Sequence, residues 1–236
     1  MTKKKRFYIT IISNTAICLM LGGLIALTTV QDLTNVFSGN DNQPYYIGNT
    51  ANKNVTLMVN VYWGNEYLPG MLKTLADEGV KTTFFVGGVW ASKYSDLLQA
   101  IYDGGHEIGN HGFFHKDHKN LNYENNQKEI YNTHKLVKEL LGVEMTLFAP
   151  PSGAYGKTCL AVAGELGYKT IMWSKDTIDW RDKNRDIIYN RAVKNPKNGD
   201  LILMHPTEAT AKALPDIIKF YKEQGFNLTT VSENIK

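Results

Sequence analysis

Two histidines four apart, His111 and His115, stand in the run Gly105-His106-Glu107-Ile108-Gly109-Asn110-His111-Gly112-Phe113-Phe114-His115. Where a strand-like run gives way to a loop, two imidazoles at this spacing can converge on one divalent cation, and a bound cation is a source of activated water. Alone the spacing is a weak signal, because coincidence or a surface pair produces it just as well. Other polar residues close apolar runs in the same way: Asn60 near the end of Leu57-Met58-Val59, Asp179 and Trp180 after Tyr168 to Trp173, and His205 after Leu201-Ile202-Leu203-Met204. Each has a plain structural reading, His205 as a strand-ending residue before Pro206, and Asp176 and Asp179 as caps or turn residues. Their shared position at strand ends is what favours a common site.

The elements that must position them alternate. Short apolar runs predict strands over 55–62, 82–86, 107–108, 146–148, 168–173, 200–204 and 228–231. Amphipathic stretches predict helices over 68–77, 94–102, 124–141, 159–166, 187–193 and 209–223, the last restarting or kinking at Pro215. Strand then helix, joined by links such as Asp103-Gly104-Gly105, argues for a parallel α/β architecture. With no GxGxxG after the first strand, about seven such units favour a distorted (β/α) barrel, whose reacting residues gather where strands end.

The chain has 236 residues, 43% of them hydrophobic, which suits one domain with a substantial core plus a membrane segment. A net charge of +3, partly owed to the first six residues, leaves no footprint for nucleic acid. Cys18 and Cys159 lie far apart and form neither a zinc motif nor an expected disulfide. Lys3, Lys4, Lys5 and Arg6 precede an uncharged stretch from Phe7 to Val30, long enough to cross a bilayer core of about 30 Å. Residues 1–30 are therefore expected to be a basic tip and membrane anchor, an uncleaved signal anchor being favoured over the cleaved signal peptide that Ser13, Asn14 and several threonines would also allow. The N-terminus then lies in the cytoplasm and the remainder outside, as a single-pass protein of the cell membrane. Residues 31–54, with Ser38-Gly39-Asn40-Asp41-Asn42-Gln43-Pro44, read as a polar linker, and residues 55–236 as the barrel.

The order of fragments from Val55 onward resembles the polysaccharide deacetylases of the NodB-homology group, carbohydrate esterase family four. Lys81 to Gly87 is similar to the family's second-strand signature and Gly105 to His115 to its histidine motif. Phe148-Ala149-Pro150-Pro151-Ser152-Gly153 resembles the proline-rich motif, Asp176 to Trp180 the DxxDW motif, and Leu201 to Pro206 the final histidine motif. Trp63 to Tyr67 and the Phe-Ala-Pro-Pro-Ser-Gly form look most like a sporulation-associated branch.

The resemblance implies removal of an N-acetyl group from a cell-wall glycan such as peptidoglycan, with a divalent metal such as zinc or cobalt. It makes His111 and His115 ligands, His205 the acid for the leaving amine and Asp179 the partner that orients it. Trp180 and Leu203 would line the acetyl pocket, with Pro151 and Ser152 beside the substrate and the Ser152 amide facing the oxyanion.

The first motif departs from the pattern. Family members carry a Thr-Phe-Asp-Asp-Gly type run, whereas Asn60 stands here at the position of the base and Val61 at that of the metal aspartate. An amide is a very poor proton acceptor, and valine has no ligand atom. Ala149 likewise replaces a common arginine. Glu66 or Asp117 could supply a carboxylate from a loop, although neither is in register. Two functions of different classes follow: a membrane-anchored, metal-dependent N-deacetylase-like hydrolase with a degenerate first motif, or an inactive glycan-binding or envelope-assembly module on the same fold. A barrel hydrolase of a small amide is a third reading.

Overall fold

β1, Asn54–Val61, is buried along all but its first residue, as expected of a strand covered on both faces. Its side chains part by a period of two. Val55, Leu57, Val59 and Val61 enter the layer between strands and helices. Met58 joins Phe85, Leu147, Ala149, Ile171, Leu201, Leu203 and Val231 in a second cluster inside the sheet's curve. Asn60, two residues beyond Met58, follows that inner face toward the strand's C-terminal end.

The computed structural model describes Met20 and residues 43–236. The remaining strands are β2 (Thr83–Val86), β3 (Glu107–Asn110), β4 (Leu147–Phe148), β5 (Lys169–Thr170), β6 (Lys175–Asp176), β7 (Leu201–Met204) and β8 (Asn227–Leu228). The helices are α1 (Leu68–Asp77), α2 (Gly88–Lys93), α3 (Ser95–Asp103), α4 (Tyr123–Leu141), α5 (Lys157–Glu165), α6 (Arg185–Val193), α7 (Glu208–Glu223) and α8 (Val231–Asn234).

The strands form one sheet in the order β5-β4-β3-β2-β1-β7-β6, with β8 paired to the start of β1, and every ladder is parallel. All strand C-termini therefore open on one rim, the geometry that gathers a site there. The barrel is incompletely closed. Its end strands β5 and β6 are joined by the link Ile171 to Ser174 instead of by a ladder. Tyr45 and Ile47 bridge this seam, Tyr45 pairing with Ile171 and Ile47 with Asp200. The last part of the expected linker is thus hydrogen-bonded to the barrel, while the expected anchor lies outside the described residues. Among those residues no helix is long and apolar enough to cross a membrane.

Several expectations need correction. Of the strand expected over 168–173 only β5 forms, and an unexpected strand, β6, follows at Lys175–Asp176 with no helix between them. β6 is cryptic because it is Lys175-Asp176, polar in sequence, with Lys175 satisfied by Asp200 at 3.0 Å. An additional short helix, α2, precedes α3. The expected last strand stops at Leu228, since Thr230 caps α8 in a capping box with Glu233. α7 runs through Pro215 without restarting. Its neighbours Leu214, Ile217 and Ile218 are buried, and this packing offsets the hydrogen bond that proline forfeits.

Candidate active site

A pocket of about 340 Å³ opens on the rim where the strands end, lined among others by Asn60, His111, His115, Ser152, Leu203 and His205. The histidine loop is pinned at four successive amides, those of residues 111–114. His111 N–H donates to Val86 O (3.0 Å), and Gly112 N–H donates to Asn110 Oδ1 (2.9 Å). The amides of Phe113 and Phe114 both donate to Glu129 Oε2 of α4, at 2.9 and 2.7 Å. This hold fixes a costly backbone. His115 has φ 55°, Ser152 φ 56° and Ile178 φ 54°, so three of the four described non-glycine residues with positive φ flank the pocket loops.

His111 Nδ1 lies 2.7 Å from Ala149 O. A carbonyl only accepts, so Nδ1 carries the proton and Nε2 keeps a free lone pair. The His111 and His115 rings are 5.1 Å apart. Burial, and for His111 also the neighbouring His115, lowers both imidazoles below the ordinary histidine range, so both are neutral at pH 7. These are the right forms for metal ligands, but the donor set ends with them. Among the described residues no three His, Cys, Asp or Glu side chains converge. Val61 is fully buried in the strand–helix layer and does not line the pocket. Asn60 reaches the pocket, and its buried Oδ1 has no partner. The residues present therefore do not compose the anionic three-ligand site that the resemblance implies.

The opposite wall is complete. His205 Nδ1 donates to Asp179 Oδ1 at 2.7 Å, its backbone N–H donates to Asp179 Oδ2 at 2.6 Å, and Thr210 Oγ1 donates to the same oxygen at 2.5 Å. With Asp179 1% exposed, this carboxylate is fixed by three donors, and it holds the imidazole with Nε2 free for chemistry. Trp63 stacks on the outer face of the His205 ring, 5.7 Å between centroids and 7° between planes.

The sequence-derived residues thus meet in one place, apart from two groups. Pro151 is buried behind Gly112 and does not line the pocket, so its expected substrate contact is corrected to a packing role. Glu66 and Asp117 do not reach the pocket either. Glu66 lines a neighbouring cavity, and Asp117 accepts from Lys119 N and Asn120 Nδ2 in a surface turn. Sequence reasoning assigned no role to Tyr62, Trp63 or Trp173 in the pocket wall, to Asp176 there, or to Glu129 and Thr210 behind it. Aromatic residues at or just past predicted strand ends were the available signal for the first three.

A parallel α/β barrel whose rim gathers paired histidines and an Asp-held histidine around a pocket has the layout of a hydrolase site. The sequence model described as polysaccharide deacetylase matches residues 47–171. YlxY of Bacillus subtilis (strain 168) is 39% identical over 191 residues, covering 81% of this chain and 60% of YlxY, so this chain spans under two thirds of that relative. Peptidoglycan-N-acetylmuramic acid deacetylase PdaA of the same organism is 30% identical over 194 residues, 80% of this chain and 74% of PdaA. The crystal structure of BA3943, described as a CE4 family pseudoenzyme from Bacillus anthracis, superposes with a TM-score of 0.80 at 34% identity, covering 82% of this chain and 69% of that one. A BA3943 mutant described as having restored enzymatic activity matches with the same TM-score. The chain belongs to the polysaccharide deacetylases, a family of hydrolases acting on N-acetylated glycans.

Proposed function

We propose that this chain acts on peptidoglycan at the cell envelope as an N-deacetylase-type hydrolase whose turnover is limited by Asn60. The observation that carries the reading is the intact His205–Asp179–Thr210 arrangement facing a pocket whose other wall holds the histidine pair. In amide hydrolysis the C–N bond of the acetamide breaks as water adds to the carbonyl carbon, and the departing amine needs a proton. His205 supplies it from Nε2 in the doubly protonated ring, whose charge Asp179 balances at Nδ1 while holding its orientation. Trp180 and Leu203 bound the space for the acetyl methyl, and Ser152 borders the oxyanion side. Asn60 cannot take the proton of the attacking water, which passes to solvent water instead of to a general base, and this forfeits about two to four orders of magnitude.

His111 and His115 would hold a zinc or cobalt ion only weakly, as two neutral donors. The charge of Lys3 to Arg6 and the uncharged run behind it support a membrane anchor with the barrel outside the cytoplasm. A second reading, a glycan-binding or envelope-assembly module without turnover, is favoured by Asn60 and Val61 and by the likeness to BA3943. Acetate release from N-acetylglucosamine oligomers and peptidoglycan, measured beside binding of the same glycans, separates the two. Slow release above the buffer blank supports the hydrolase, whereas binding without release supports the module.

A further inference from the structure

A chain of hydrogen bonds runs behind the histidine loop, between the sheet and α4. Asn110, the last residue of β3, is fully buried and holds the loop twice. Its Oδ1 accepts from Gly112 N–H, and its backbone oxygen accepts from Ala149 N–H at 2.9 Å, the residue whose carbonyl fixes the His111 tautomer. The other end of the Asn110 amide is held as well. Nδ2 donates to Ile130 O of α4 at 2.8 Å and to the Tyr168 hydroxyl at 3.2 Å. Two acceptors at Nδ2 and a donor at Oδ1 leave this amide one orientation.

The chain continues outward in a consistent direction. Tyr168 Oη accepts from Asn110, so its O–H turns to His134 Nδ1, 2.6 Å away. Nδ1 is then an acceptor, and Nε2 carries the His134 proton and donates it to Glu144 Oε2 at 2.8 Å. Tyr168 is 6% exposed, and burial pushes its pKa up to about 12, so the hydroxyl keeps the proton it donates. Glu144 stands at the surface, paired with Lys138.

We propose that Tyr168, backed by His134, is a positioning residue for the histidine pair: it holds the Asn110 amide, and through it the turn that sets His111 and His115 at the pocket. This role rests on the hydrolase reading above, which makes the rim the reacting site. The Tyr168 ring packs against Phe148 and His134, so a phenylalanine there keeps the packing and removes the hydroxyl alone.

The test is amide hydrogen exchange in the full chain, read at Gly112 against the β1 amides of Met58 and Val59, together with the ring nitrogen resonances of His111. In Tyr168→Phe, exchange at Gly112 should quicken roughly three- to tenfold beyond any change in β1, the effect of one lost hydrogen bond confined to the loop, and the His111 resonances should shift. His134→Ala, which strips the Tyr168 O–H of its acceptor, should move both readouts the same way by less. Exchange at Gly112 that rises only as far as in β1, or His111 resonances that stay in place, overturns the positioning role and leaves the hydrolase reading standing. That reading falls on acetate release, which enters neither readout.

Discussion

The indole of Trp63 and the imidazole of His205 lie parallel, 7° apart in plane, although Trp63 follows β1 and His205 follows β7. These strands are neighbours in the sheet, Val59 pairing with Met204, so the two residues beyond them meet by register. His205 is held at its edge by Asp179 and over its face by Trp63, which leaves Nε2 as its working atom. One half of the site is thus fully prepared, whereas the other presents an amide where a base belongs.

This asymmetry makes the first prediction. Asn60→Asp should raise acetate release from N-acetylglucosamine oligomers by about two to four orders of magnitude, because a carboxylate then faces the pocket opposite a finished acid. Adding His205→Ala should remove most of the gain. A restored variant that binds glycan yet releases no acetate would place the defect elsewhere than Asn60.

Val61→Asp should behave differently. The side chain is fully buried in the strand–helix layer, so an unpaired carboxylate there should destabilise the fold by on the order of 3 kcal/mol. Urea unfolding of the variant beside the parent measures this. Recovery of stability on adding zinc would show that residue 61 can turn toward His111 and His115.

Titration with cobalt or zinc should reveal one weak site, lost in His111→Ala and in His115→Ala. Protonation blocks an imidazole as a ligand, and both rings have pKa values lowered chiefly by burial. Binding should accordingly persist at pH values somewhat below the ordinary 6.5 of histidine and fail beneath that. Metal bound equally well by the double alanine variant would refute the assignment.

His106 lies at the opposite end of β3 and sets a separate pH dependence. Burial, then the nearby Lys81 charge, pushes its pKa down to about 4 from 6.5, and its Nδ1 accepts from Thr82 N–H. Above pH 6.5 the ring is neutral whether the chain is folded or not. Between 6.5 and 4 only the unfolded chain takes up the proton, so stability should fall across that window, by on the order of 3 kcal/mol at its end. His106→Gln should flatten this part of a curve of melting temperature against pH.

Much of the fold was legible because its signals are local. α1 begins and ends where the amphipathic run 68–77 does, with Pro69 in the first turn. β1 is a continuous apolar run. β6 was not legible, since Lys175 and Asp176 read as polar until Asp200, distant in sequence, pairs with the lysine. α2 was hidden because it starts at Gly88 and has no side-chain cap to announce it. In the site, the order of motifs located His111, His115, Asp179 and His205 correctly on one rim. The Trp63 stack could not be read, because it depends on the left-handed turn at Gly64 and on a neighbouring strand. Glu129 was hidden too, being a helix residue whose acceptor role appears only when the histidine loop lies across it.

The seam at Tyr45 and Ile47 bears on how the barrel would respond to mechanical load. Tyr45 N–H donates to Thr170 O, Met172 N–H to Tyr45 O, and Gly48 N–H to Gly199 O, at 2.9, 2.8 and 2.7 Å. These few bonds are the stitching that a pull on the N-terminal end strains first, ahead of the longer β1 ladders. A force applied there should peel the stitching as a small early event. The rim would hold its shape until β1 itself is drawn out of register.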